Sequence, residues 1–162
     1  MKKSCASKPA LVAGVISDTH GLLRPAALAA LAGSDVILHA GDIGSPEILA
    51  ALSAIAPVIA VRGNNDRGAW AEAIPETAIA ELGGARIYLI HDRNQVDFDP
   101  AQAGFAAVVA GHSHKPLHEL KDGVLQFNPG SAGPRRFSLP IALGRLTIQD
   151  GRVTGAHVFL DT

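Results

Sequence analysis

"LVAGVISDTHGLLRPAALAALAGSDVILHAGD" (residues 11–42) holds two apolar runs of strand length around one Ala/Leu-rich segment. The first run, "LVAGVIS" (11–17), is apolar almost throughout and stops at Asp18 and His20. A run without polar alternation reads as a strand buried on both faces. Residues 24–33 carry Pro25 near their first turn and Gly33 past their end, the punctuation of a short helix. "DVILHAG" (35–41) is a second buried strand. The order strand, helix, strand is a βαβ unit with parallel strands. Residues 45–63 repeat it, with Ser45 as the expected helix N-cap, Pro46 as first helical residue and "PVIAVRG" (57–63) as third strand.

Beyond these units, residues 77–91 read as two strands about the Gly83-Gly84 turn, and "FAAVVAG" (105–111) as another buried run. The tail changes character. Residues 117–128 and 141–160 each place an Asp-Gly pair between alternating strands, which predicts two antiparallel hairpins. The fold class expected is α/β with mixed sheets.

A length of 162 residues suits one domain, expected over 1–162 with residues 1–9 as a loose leader. Hydrophobic content of 48% against 18% charged residues argues for a folded chain. A net charge of -1 supplies no field for a polyanion, so general nucleic-acid binding is not expected, whereas small anionic substrates remain open. Cys5 is the single cysteine, which excludes an intramolecular disulfide and a cysteine zinc site. Lys8 and Pro9 interrupt the start before any apolar stretch, and no apolar run reaches the ~20 residues that span a bilayer. A cytoplasmic protein without membrane attachment is the expectation, and homo-oligomerisation is left open.

Five strands end in polar clusters: Asp18 and His20; Asp42; Asn64, Asn65 and Asp66; His91 and Asp92; His112 and His114. In an open α/β sheet, ligands bind outside the carboxyl ends of strands, so these clusters can converge. In Asp18-Thr19-His20 and His112-Ser113-His114, alternate residues of an extended loop can both point inward. So many carboxylate, imidazole and amide donors exceed the needs of one ion and suit two, bridged by a carboxylate. Asp42, alone at its strand end, is the expected bridge. Gly41, Gly63 and Gly111 permit the close backbone approach such a site requires.

The ordered series "SDTH", "AGDI", "RGNND", "IH", "GHSHKP" and "NPGS" resembles the calcineurin-like metallophosphoesterases, in particular the small bacterial and archaeal phosphodiesterases, from Ile16 to about Arg136. The resemblance implies two mixed sheets packed as a sandwich, flanked by helices, with a dinuclear site at one edge. By motif, Asp18, His20 and His114 would hold one metal, Asn64, His91 and His112 the other, and Asp42 would bridge them. Asp42, Asn64 and His91 are thereby the catalytic candidates, and Asn65 and Arg135 the candidates for meeting the substrate. Two divalent transition-metal ions are implied, Mn first, with Fe, Zn, Co and Ni also compatible with a thiolate-free ligand set. The implied reaction is hydrolysis of a small phosphate ester, a diester first, by a water or hydroxide held between the ions.

Two positions depart from the family pattern. Many members carry a histidine after the ligand asparagine, where this chain has Asn65, which cannot serve as a general acid. Glycine usually follows the histidine at position 91, where this chain has Asp92; its carboxylate would oppose a phosphate unless paired, for instance with Arg93. His39 reads as supporting or packed, His118 and His157 as non-functional, and Trp70 as either a substrate wall or a cover for the core. The competing class is a protein-interaction scaffold, since a subunit of the retromer coat shares this fold.

Overall fold

The computed structural model describes residues 9–160; the expected leader, apart from Pro9, and Cys5 lie outside them. Two five-stranded mixed sheets pack face to face. The first contains β1 (Leu11–Ile16), β2 (Val36–His39), β3 (Val58–Ala60) and a C-terminal pair, β9 (Ala142–Gln149) and β10 (Arg152–Phe159). Their order is β10-β9-β1-β2-β3, with β1, β2 and β3 parallel and β9 antiparallel to β1. The second contains β4 (Thr77–Leu82), β5 (Ala85–Ile90), β6 (Ala107–Val109), β7 (Leu117–Lys121) and β8 (Val124–Asn128), ordered β4-β5-β6-β8-β7. Here β5, β6 and β8 are parallel. The expected α/β class with mixed sheets and C-terminal hairpins is the observed one.

Side-chain alternation explains the all-apolar strands. Ala13, Val15, Val36 and Leu38 face the second sheet, meeting Ile87, Leu89, Val109, Leu125 and Phe127. Ile16 and Ile37 face outward beneath α1 (Pro25–Leu31) and α2 (Pro46–Ser53), against Leu31, Ile48 and Leu52. Both faces are covered, so no polar alternation survives. The outer face of the second sheet has a thinner cover: Val108, Ala110 and Val124 pack under Val96 and Ala101 of the segment after β5. Trp70, in α3 (Ala69–Glu72), packs on the α1–α2 cluster and so covers core.

All three predicted hairpin turns form. Gly83-Gly84, Asp122-Gly123 and Asp150-Gly151 have positive φ at both central positions, the type I′ geometry that matches strand twist. Ser45 does stand at the N-cap of α2, but its side chain makes no capping bond. Pro46 at the first helical position removes one orphan N–H by itself. Among the described residues no helix is long and apolar enough to cross a membrane.

Candidate metal centre

Both sheets present the carboxyl ends of parallel strands to the same edge of the sandwich. β1, β2 and β3 deliver Asp18, His20, Asp42 and Asn64; β5 and β6 deliver His91, His112 and His114. Five of these seven residues, Asp18, His20, Asp42, His112 and His114, have φ between 46° and 72°. A left-handed backbone costs an L residue of order 1 kcal/mol or more, and such strain persists where surrounding structure over-determines it. The bonds that do so are present. Asp18 N–H donates to the Gly41 carbonyl, His20 N–H to that of Asp42, and Gly111 N–H to that of His91, each at 2.9 Å.

Asp18 is fully buried. Its Oδ2 accepts from Ser17 Oγ at 2.7 Å and from His112 N–H at 3.1 Å. Among the described residues its Oδ1 has no hydrogen bond, yet Nε2 of His114, His20 and His91 lie 3.4, 3.8 and 4.0 Å from it. His20 Nε2 is likewise buried without a hydrogen-bond partner. Asp42 Oδ2 stands 3.3 Å from His91 Nε2 and 3.6 Å from His20 Nε2. A buried carboxylate oxygen is costly when unsatisfied, and imidazole lone pairs cannot satisfy it. A divalent cation satisfies both kinds of donor, and Asp18 with His20 and His114, and Asp18 with Asp42 and His91, each bring three ligand atoms within 4.8 Å. These residues fit a metal.

The structure brings the expected ligands together in two overlapping groups. Asp18, His20 and His114 do group together, but Asp18 also belongs to the second group. Asp42 Oδ2 faces one imidazole from each side, as a bridge would. His112 Nδ1 is 3.3 Å from His91 Nε2, and Asn64 lines with both histidines a cleft of about 480 Å³.

Electrostatics keep the Asp42 carboxyl ionised and ready to ligate, while they favour a proton on His91 that an ion would have to displace. Burial alone would raise the Asp42 carboxyl, but hydrogen bonds from His91 and Asn65 outweigh it and hold the group well below the usual carboxylate range. Burial disfavours charged His91; the Asp42 carboxylate and the Ala40 carbonyl, with Asp18, more than offset this and raise it. His91 Nδ1 lies 2.7 Å from Ala40 O, so Nδ1–H donates there and Nε2 turns to the cluster. His39, wholly buried, is lowered to about 4 and stays neutral. Thr19 Oγ1 donates to Ile43 O, so His39 Nε2–H donates to that hydroxyl while Nδ1 accepts Gly41 N–H. His39 thereby ties two ligand loops together, a supporting role.

Asn65 does not stand free to meet a substrate. Its backbone N–H reaches Asp42 Oδ1 at 2.9 Å and its Nδ2 reaches Oδ2 at 3.0 Å, so it orients Asp42. Arg135 is exposed and donates to Leu139 O in its own loop. Among the described residues, no hydrogen bond joins it to the ligand cluster. Asp92 is not left-handed (φ −117°), and Arg93 pairs with Glu119 rather than with it. His157 stacks on Phe127 and bonds Asn128 O, a packing role.

Three residues from the sequence motifs act as fasteners between loops, a role their positions alone do not assign. Asp66 accepts from Ile43, Gly44 and Gly63 N–H, clamping the loops after β2 and β3. Asn128 donates to Gly111 O and Ser113 Oγ, and Ser131 Oγ to Asp18 O. "NPGS" is therefore a brace for the histidine loop. A Cβ on Gly111 would overlap Ser17 Oγ and Asp18 Oδ2, and one on Gly63 would overlap Asp42, so only glycine lets these loops approach.

A two-sheet sandwich with buried carboxylates and imidazoles at its strand ends is the build of a metal-dependent phosphoesterase. The family model described as the calcineurin-like phosphoesterase superfamily domain matches residues 11–151, and the chain belongs to that family. A probable metallophosphoesterase of Methanothermobacter thermautotrophicus is 37% identical over 143 residues, covering 80% of this chain and 82% of the relative. A phosphodiesterase of Methanocaldococcus jannaschii is 29% identical over 135 residues, covering 72% and 81%. Vacuolar protein sorting 29 of Cryptosporidium parvum shares the fold, with a TM-score of 0.75 at 21% identity over 94% of this chain and 99% of that one.

Proposed function

We propose that this chain is a dinuclear, metal-dependent phosphodiesterase acting in the cytoplasm on small phosphate esters, with Mn as first candidate metal. The observation that carries the reading is the unpartnered Oδ1 of buried Asp18, ringed by His20, His91 and His114, beside an Asp42 oxygen that faces both sides. The diester preference is carried over from the similar phosphodiesterase. When bound, two such ions supply Lewis acidity to a phosphoryl oxygen and lower the pKa of a water.

The chain's own residues set the conditions. Asn65 holds the Asp42 carboxylate by two bonds, and Ala40 holds the His91 ring. Neither Asn65 nor Asp66 offers an acid: one is an amide, and the other's oxygens are taken by three backbone N–H groups. Departure of the alcohol then depends on its own acidity. The test is a diester series of graded leaving-group pKa with Mn-loaded protein. A steep dependence is expected in wild type; Asn65→His gives up the side-chain bond to Asp42 but keeps the backbone one, and at matched Mn content, with the substrate pose intact, it should flatten the slope with a gain of up to about 10²-fold on poor leaving groups. A shallow wild-type slope would mean that another residue donates the proton. No turnover of any mono- or diester by protein holding two Mn would favour the scaffold reading, which the likeness to vacuolar protein sorting 29 keeps in view.

A further inference from the structure

Asp92 occupies a position where the resemblance calls for glycine, and the backbone there is extended, so glycine's left-handed range is not being used. Its Oδ1 accepts Asn94 N–H at 3.0 Å and caps the 3-10 turn of Arg93–Gln95. That bond fixes the carboxylate. Its Oδ2 is 3.9 Å from Nε2 of His112. The other ring nitrogen of His112, Nδ1, is 3.3 Å from His91 Nε2, on the cluster side. The His112 ring thus stands between a carboxylate and the metal cluster, one nitrogen to each. It needs such support, because its side chain is 45% exposed whereas those of His91 and His114 are 7% and 3%. Arg93, the expected partner of Asp92, pairs with Glu119 at 3.9 Å and leaves this carboxylate to His112.

We infer that Asp92 is a positioning residue: its Oδ2 stands 3.9 Å behind Nε2 of His112, too far for a direct hydrogen bond but near enough for its charge to favour the proton on Nε2, which leaves the Nδ1 lone pair turned to the ion that His112 and His91 would share. A carboxylate behind a ligating imidazole fixes its tautomer and orientation, and loss of such a partner costs about 10- to 100-fold in metal affinity. The inference rests on the dinuclear reading. A simpler effect of the same carboxylate, a field felt by both ions, would weaken the two sites alike.

The experiment is Mn titration of the full chain by calorimetry, with electron paramagnetic resonance to separate coupled from isolated Mn. Wild type, Asp92→Gly, Asp92→Ser and His112→Ala are compared. Asp92→Ser keeps an oxygen that can cap Asn94 N–H, so it guards against a mere folding defect. At Mn that gives wild type two equivalents, both Asp92 variants should hold about one, with the coupled signal replaced by an isolated six-line signal. The first equivalent should keep its affinity and the second should weaken about 10- to 100-fold, in the manner of His112→Ala. Two equivalents at wild-type affinity in Asp92→Ser would overturn the inference, as would equal weakening of both. A wild type that takes fewer than two equivalents would sink the dinuclear reading itself.

Discussion

The two sides of the ligand cluster are built to different standards. On one, Asp18 and His114 are 0% and 3% exposed, and every oxygen and backbone bond of Asp18 except Oδ1 is accounted for. On the other, Asn64 is exposed and His112 nearly half so, each in contact with open clefts. Burial removes water as a competing partner, so ligands on the first side have only each other and an ion. Ligands on the second can be satisfied by solvent. The first ion is therefore expected to be tightly held, and the second to exchange and to face the substrate. In the proposed two-ion site, Asp42 and His91 would form the joint between them.

The largest expected effect is at that joint. Asp42→Asn should lower hydrolysis by about 10³-fold and Mn content below one equivalent, because in the proposed site one carboxylate would neutralise two ions. Loss of a single ion would show that the two sides bind independently, with Asp18 as the true bridge. Next comes the contrast itself. His114→Ala should abolish tight Mn binding, whereas His112→Ala should keep one tight equivalent; calorimetry on the two variants decides, and equal losses would break the distinction. The smallest effect is that of pH. Below the raised pKa of His91 a proton competes for Nε2, so Mn affinity should rise up to about tenfold per pH unit and level off only above the ordinary imidazole value near 6.5. The stability linkage runs the other way in metal-free protein. The His91–Asp42 pair contributes fully below the unfolded value and fades as pH rises through the raised one. Affinity that is flat from pH 6 to 8 would remove His91 from the joint.

Much of this was legible because the relevant signals are local. Apolar runs of strand length, helices punctuated by Pro and Gly, and Asp-Gly turns marked the elements, and the polar residue after each strand marked the edge where they meet. What stayed hidden depends on contacts between loops far apart in sequence. Asn65 on Asp42, Asp66 on three N–H groups and Asn128 on Gly111 leave no periodic trace. The left-handed backbone at five candidate ligands was equally hard to see, since Asp and His adopt it more readily than most residues but do not mark it as glycine does. The place of Arg135 after "NPGS" likewise says nothing of which carbonyl its guanidinium will find.

The antiparallel pairing of β9 with β1 joins the C-terminal hairpin to the first strand, and β1 carries Asp18 and His20 at its tip. During synthesis, the first βαβ unit therefore emerges with three of its carboxylate and imidazole donors but none from the second sheet. Strand pairings of such long range form late and slowly. An ion bound by this centre would reward only the finished topology, adding RT ln(1 + [M]/Kd) to native stability, about 4 kcal/mol at a thousandfold excess over Kd. The metal would then act as a proofreader of folding, retained by complete molecules and ignored by partial ones.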